Sequence, residues 1–189
     1  MLIKSSLQLY LRKINSILAI IIILFLIFHS ILLALSMVNI IPYSLDFKKV
    51  GPILFSLVII HLLISLYLCF EKKLKNRTVK LNYKVTDTAI QLISGILMVV
   101  LIVLHICYVI ISPVYLVSTL QDGLMHIILD NLLVISILVH LSISMPRLLV
   151  SLGFLIGEND YKYARYVSNI LLVVFLLIIF ICELFYFVL

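Results

Sequence analysis

Five stretches of this chain, roughly 14–37, 51–70, 88–113, 128–154 and 168–189, run through Leu, Ile, Val and Phe with few or no charged residues. An apolar helix of about 20 residues crosses the hydrocarbon core of a bilayer. Lipid offers no hydrogen bonds to backbone N–H and C=O groups, so such a segment closes them internally as a helix. Together the five stretches use most of the 189 residues and leave no room for a soluble domain. The chain is 65% hydrophobic and 12% charged, whereas a soluble domain is about half apolar. The sequence predicts an all-α membrane protein, a single domain over 1–189 with five transmembrane helices, the first four forming an up-down bundle. The first stretch is too long for a signal peptide and lacks a small-residue cleavage site, so it reads as a retained helix.

Basic residues set the expected orientation. The N-terminal tail carries Lys4, Arg12 and Lys13, and the segment after span two carries Lys72, Lys73, Lys75, Arg77, Lys80 and Lys84. Lys162 and Arg165 follow span four, while the first loop has only Lys48 and Lys49 and the third loop has none. The positive-inside rule then puts the N-terminus in the cytoplasm and the C-terminus outside. The net charge of +6 reflects this topology or an acidic partner at the cytoplasmic face. Nucleic acid is not an expected partner, because the basic residues flank membrane spans and form no binding module. The polar segment "EKKLKNRTVKLNYKVTD" is either a solvated loop or a docking surface for a cytoplasmic partner. Pro42, Pro52, Pro113 and Gly123 suit turns and helix ends in the outer loops, near 38–50 and 114–127. Cys69, Cys107 and Cys182 all lie within spans, without a C-x-x-C pair. They read as small packing residues rather than as a disulfide framework or a covalent haem attachment.

Four of the spans each carry a histidine: His29, His61, His105 and His140. One histidine in a span is ordinarily a helix-packing hydrogen bond. Four in consecutive spans point to function, because ionisable residues inside membranes are scarce, and a neutral imidazole is a good iron ligand. In an up-down bundle, spans one and three lie diagonally opposite, as do two and four. Counting from the cytoplasmic ends, His29 and His105 lie about 22 and 30 Å deep, and His61 and His140 about 15 and 21 Å. The ordering gives an outer pair, His29 with His105, and an inner pair, His61 with His140. Each pair suits a bis-histidine haem, two haem b groups in all, and two such haems would form an electron path across the membrane.

Other residues share faces with these histidines, since positions seven or eleven apart on a helix align. Arg147 lies seven beyond His140 and suits a propionate of the inner haem, or snorkels to the interface. Lys72, eleven beyond His61, is better read as snorkelling. Ser94, eleven before His105, brings a hydroxyl near the inner haem beside Gly95. Ser65 and Ser144, each four past a histidine, are small enough to admit a ring, and small residues also serve plain helix packing.

The stretches "YLRKINSILAIIIILFLIFHS", "IIHLLISLYLCFEKK", "IQLISGILMVVLIVLH" and "VHLSISMPRLLVSLGF" together resemble the dihaem cytochrome b membrane anchor of succinate:quinone and quinol:fumarate oxidoreductases, in its five-helix, single-subunit form. The resemblance covers roughly 8–189 and rests on the spacing of the four histidines. It implies His29 and His105 on the distal haem, His61 and His140 on the proximal one, and Arg12 and Ser16 among the cofactor-binding residues. It further implies a cytoplasmic iron–sulfur subunit and a flavoprotein as partners, a quinone, typically menaquinone, near the distal haem, and a multi-pass place in the cell membrane, the cytoplasmic membrane of a prokaryote. The pattern departs from the family at Leu92 and Lys13, where arginine is usual, at Asn15, where histidine is usual, and at Ser144, where glycine is usual. Pro146 is unexpected and should kink span four.

Quinone chemistry couples two electrons to two protons, so a proton-carrying group is expected near the outer haem. Glu183 and Asp130 are the candidates, with His126 and Asp46 behind them. Each is better read as a group solvated at the interface, Glu183 least comfortably because its neighbours are apolar. Two rival functions stand beside this one: the cytochrome b subunit of a membrane hydrogenase, formate dehydrogenase or nitrate reductase, and a small transporter using its histidines for packing or proton relay.

Overall fold

The computed structural model describes residues 2–42, 47–75, 85–111, 120–155 and 157–187. It contains five α-helices: α1 (Leu2–Met37), α2 (Phe47–Lys75), α3 (Val85–Ile111), α4 (Leu120–Ser151) and α5 (Glu158–Phe187), and no strand among the described residues. Each includes a segment of 22 to 31 residues long and apolar enough to cross a membrane. The chain is therefore a multi-pass helical membrane protein.

The helices outrun the apolar stretches that announce them. α1 begins at Leu2 rather than near 14, and α5 at Glu158 rather than near 168, because a helix continues for as long as its backbone bonds close. α4 begins at Leu120, which moves Gly123 and His126 out of the expected loop and into the helix. Pro52 likewise lies inside α2 rather than in a turn. Near the helix start it removes only the bond to the Lys48 carbonyl, and its own carbonyl accepts from Ser56 Oγ at 2.9 Å. Pro146, buried in α4, does not break that helix, which runs on to Ser151. Asp46, Pro113 and the basic segment 76–84 lie outside the described residues, as does the side chain of Lys72.

Two helix ends use the same left-handed stop. After α1, Asn39 (φ 57°) donates to Ser36 O and Ile40 donates to Leu35 O. After α4, Gly153 (φ 80°) donates to Val150 O and Phe154 to Leu149 O. Both are Schellman motifs, which satisfy the last free carbonyls of a helix. At the start of α5 the Gly157 N–H donates to Asp160 Oδ2 at 3.0 Å, the backward half of a capping box.

The chain divides into two compact units, one of Met1–Ile31 with Tyr43–Tyr83 and one of Leu32–Pro42 with Lys84–Leu189. In the first, Asn15 Nδ2 on α1 donates to Ser65 Oγ on α2 at 3.1 Å. In the second, α4 packs along both α3 and α5, so α5, left outside the expected bundle of four, joins the packing of α4. Leu101, Ile127, Ile143 and Pro146 are buried there. Most other apolar side chains point outward: none of the most apolar window of α1 is buried, and only 22% of that of α4. So much exposed hydrocarbon is stable only against acyl chains or another apolar surface. Cys69 and Cys107, expected as packing residues, are exposed on that outer surface.

Candidate functional site

The polar residues of the second unit gather on one seam. On α4, His126, His140 and Arg147 stand at multiples of seven, and Asp130 and Ser144 form a parallel row. On α3, Gln91 and His105 are fourteen apart, and Ser94 and Tyr108 likewise. A spacing of seven keeps side chains on one helical face, so each helix turns a polar stripe to the other. The two helices run antiparallel: Gln91 early in α3 meets Arg147 late in α4, and Tyr108 late in α3 meets His126 early in α4.

At the Arg147 end, His140 Nδ1 lies 3.2 Å from the Gln91 carbonyl and 3.4 Å from Ser94 Oγ. A carbonyl only accepts, so the proton sits on Nδ1, and Nε2 is left with its lone pair. Ser94, buried, donates to the same Gln91 carbonyl at 3.2 Å. The Gln91 side chain accepts from Arg147 Nη1 at 2.6 Å. Ser136 Oγ donates to the Ser94 carbonyl at 3.3 Å, and Ser144 Oγ to the His140 carbonyl at 2.8 Å. Gly95 gives the imidazole room: a Cβ there would lie 3.4 Å from His140 Cε1.

At the opposite end, His105 Nδ1 lies 2.5 Å from Asp130 Oδ1. An ionised carboxylate only accepts, so here too Nδ1 donates, and in the neutral imidazole Nε2 keeps its lone pair. Beside it, Asn131 Nδ2 donates to Glu183 Oε2 on α5 at 2.5 Å and to its own helix at Ile127 O at 2.8 Å. Glu183 is 2% exposed and His126 fully buried, its ring edge-on to Tyr108 with centroids 4.7 Å apart. Asp130 precedes His140 by ten residues, about 15 Å of helix, so the two histidines occupy separate levels of one seam.

Several expectations change here. Glu183, Asp130 and His126 are not solvated interface groups: all three are engaged or buried within the second unit. Packing draws them in because α4 starts earlier than its apolar stretch and α5 lies along it. Arg147 neither snorkels alone nor stands apart; it holds Gln91. Ser94 and Gly95 do flank an expected ligand, His140. His29 and His61 belong to the first unit and are half-buried, so each expected haem pair draws one histidine from each unit. Ser65 is bonded to Asn15, Ser16 is half-buried, and Arg12 is exposed.

Sequence reasoning missed Asn131, Ser136 and Tyr108, and gave no site role to Gln91, the glutamine of a stretch that carries the resemblance. The signal for Gln91 and Tyr108 was their place on the heptad row of Ser94 and His105. Asn131 gave none, because its role depends on the register of α5.

Ionisable residues within membrane spans are scarce and costly, which singles out this seam as the candidate site. An interhelical hydrogen bond within a membrane contributes on average about 0.6 kcal/mol. Placing one Arg or Asp at the centre of a membrane helix costs about 2.5–3.5 kcal/mol on insertion scales. Of the ionisable groups on this seam, Arg147 and Glu183 stand close to the ends of their helices, where that cost is lower. Comparison with protein-family models, curated proteins and solved structures finds no match for the chain.

Proposed function

We propose that this chain is the membrane-anchoring cytochrome b subunit of a succinate dehydrogenase or fumarate reductase type complex. It passes electrons between a cytoplasmic iron–sulfur subunit and a membrane quinone, menaquinone by the family resemblance, through two haem b groups. One observation carries the reading. His105 and His140 sit at two levels of one seam, each with Nδ1 against an oxygen acceptor, which in the neutral imidazole leaves Nε2 as the nitrogen that could bind iron. Ligating histidines characteristically donate their other ring N–H to a carboxylate or backbone carbonyl, which sets tautomer and orientation. Among the described residues no three His, Cys, Asp or Glu side chains gather to cage a bare ion. Haem needs no such cage, since imidazole nitrogens such as those of these histidines would suffice to hold it.

The residues fit that group. His29 and His105 would hold one haem and His61 and His140 the other, with Arg147 supplying a cation for a propionate and Ser94, Gly95, Ser65 and Ser144 leaving space or hydroxyls beside the rings. Ser16 and Arg12 are assigned to the same cofactor surface. When bound, the haem iron supplies one-electron redox chemistry. Gln91 and Asp130 hold their imidazoles against rotation, and Gln91 keeps Arg147 at the His140 end. Glu183, buried and tethered by Asn131, is the carboxyl that takes up or releases a proton at the quinone. The dicarboxylate chemistry lies in the flavoprotein partner, outside this chain. N-terminus in the cytoplasm, the chain would sit in the cytoplasmic membrane of a prokaryote.

A reduced-minus-oxidised optical spectrum of the purified complex tests this directly. Two b-type haems per chain are expected, together with copurifying flavin and iron–sulfur subunits. A molybdenum or nickel partner would instead assign the chain to a formate dehydrogenase, nitrate reductase or hydrogenase. A second reading, a small proton-coupled transporter, draws on the buried Glu183 and the half-buried Asn131, Asp130 and His105. It is the one that survives if the assembled protein shows no haem bands.

A further inference from the structure

The two anchored histidines differ in what holds them. The oxygen beside His105 Nδ1 belongs to a carboxylate at 2.5 Å, closer than the neutral carbonyl 3.2 Å from His140 Nδ1. Asp130 is mostly enclosed, its side chain 16% exposed, so its charge acts with little screening by water. Glu183 reaches Asn131, the next residue on α4, which places a second carboxyl at the same end. Arg147 stands at the other end, beside Gln91.

We infer that Asp130 is the positioning residue of His105: its carboxylate fixes the ring so that Nε2 is presented to iron, and its charge makes that iron harder to reduce. This rests on the haem reading above. A ring N–H donated to a carboxylate pushes electron density into the imidazole and raises its basicity as a ligand. A stronger donor favours the ferric over the ferrous state, and second-shell hydrogen bonds are a recognised lever on haem potential. A backbone carbonyl does the same more weakly, because it carries no net charge. The inference also changes the expected part of Asp130. Held by His105, it orients a ligand rather than ferrying protons, and Glu183 is left as the proton-handling carboxyl.

The test is a redox titration of the full chain in its native membrane complex, comparing wild type with Asp130→Asn and Asp130→Glu. Asn keeps the shape and removes the charge. It is expected to raise the midpoint potential of one haem, alter that haem's low-spin electron paramagnetic resonance signal, and leave the other haem unmoved. Glu keeps the charge and is expected to bring the potential back towards wild type. If Asn instead loses one haem, its restoration in Glu supports the positioning role, and failure to restore it overturns the role. Potentials that stay put, that move together, or that shift equally in Asn and Glu overturn the inference, as does loss of both haems in both variants. His105→Ala separates this outcome from failure of the haem reading. A wild type without b-type haem, or an alanine variant that keeps both haems, removes the premise itself; a wild type with two haems and an alanine variant lacking one leaves only the Asp130 inference at stake.

Discussion

The two ends of the α3–α4 seam solve one problem with opposite means. At the Arg147 end, His140 is steadied by a backbone carbonyl and a serine hydroxyl, with a cation one step away on Gln91. At the Glu183 end, His105 is steadied by a carboxylate, with a second carboxyl reached through Asn131. The backbone oxygen of Gln91 is there whatever residue occupies that position, so the anchor of His140 tolerates sequence change. The anchor of His105 depends on a single side chain. Two imidazoles of the same tautomer thus stand in fields of opposite sign, positive at one end and negative at the other. On the haem reading proposed above this asymmetry would be a bias, since a positive surrounding favours the reduced state of a metal and a negative one opposes it.

The largest expected effect breaks the comparison at its root. His105→Ala and His140→Ala should each remove one of two haems and leave the other, so that total haem, measured as the pyridine haemochrome, falls to about half if each axial nitrogen is indispensable. The two variants should differ in which spectral component disappears. If both lose the same component, the histidines serve one site and the two-level reading is wrong.

Next in size is Glu183→Gln. The amide keeps the shape and can still meet Asn131, but it cannot carry a proton. Quinone turnover is expected to fall by about 100-fold, the lower range for removal of a general acid or base, with both haem potentials retained. Unchanged turnover and an unchanged pH profile would remove Glu183 from the proton path and leave it a buried strut between α4 and α5.

How much of this was readable beforehand divides along physical lines. The five spans follow from apolar stretches, because burial in lipid is a property of composition over about 20 residues. The rows of Ser94 with His105 and of His140 with Arg147 follow from helical spacing, which is local. The partners of those rows do not, because they depend on how far α4 slides along α3 and α5. One residue of slip rotates a helix face by 100°, and no local pattern in "HIILDNLL" announces that Asp130 faces α3 while Asn131 faces α5. The helix ends were blurred for another reason: polar residues such as those of "ENDYKYAR" continue a helix into water as readily as they end one. Pro52 and Gly123 were misleading because both are tolerated within the first turns, where few backbone bonds depend on them.

Asn131→Leu is a smaller test, aimed at the side of the comparison where a side chain carries the load. It removes the donor to Glu183 and to Ile127 O while preserving bulk. Stability of the detergent-solubilised protein is expected to fall by about 1 kcal/mol, the usual net worth of a buried hydrogen bond, read as a lower thermal midpoint. Quinone turnover should fall with it, because Glu183 loses its tether. A lower midpoint with full turnover would mean that Asn131 joins α5 to α4 without orienting the carboxyl.

Gly95→Ala is the smallest perturbation and tests the backbone-anchored end. The added methyl would lie 3.4 Å from His140 Cε1 and 3.5 Å from its Nδ1, which is contact rather than collision. Alanine is also the better helix former by about 1 kcal/mol, so global stability should hold or rise slightly. The methyl nevertheless faces the ring edge that carries the bond to Gln91 O, and a few degrees of rotation there would lengthen that bond. The expected result is a small shift in the spectrum and potential of the His140 haem alone, without loss of either haem. The His105 level lies about 15 Å along the seam and is anchored by a different group, so it should not respond. A response at both levels would show that the seam moves as one rigid ladder, and the separate anchoring of its two imidazoles would then have no functional consequence.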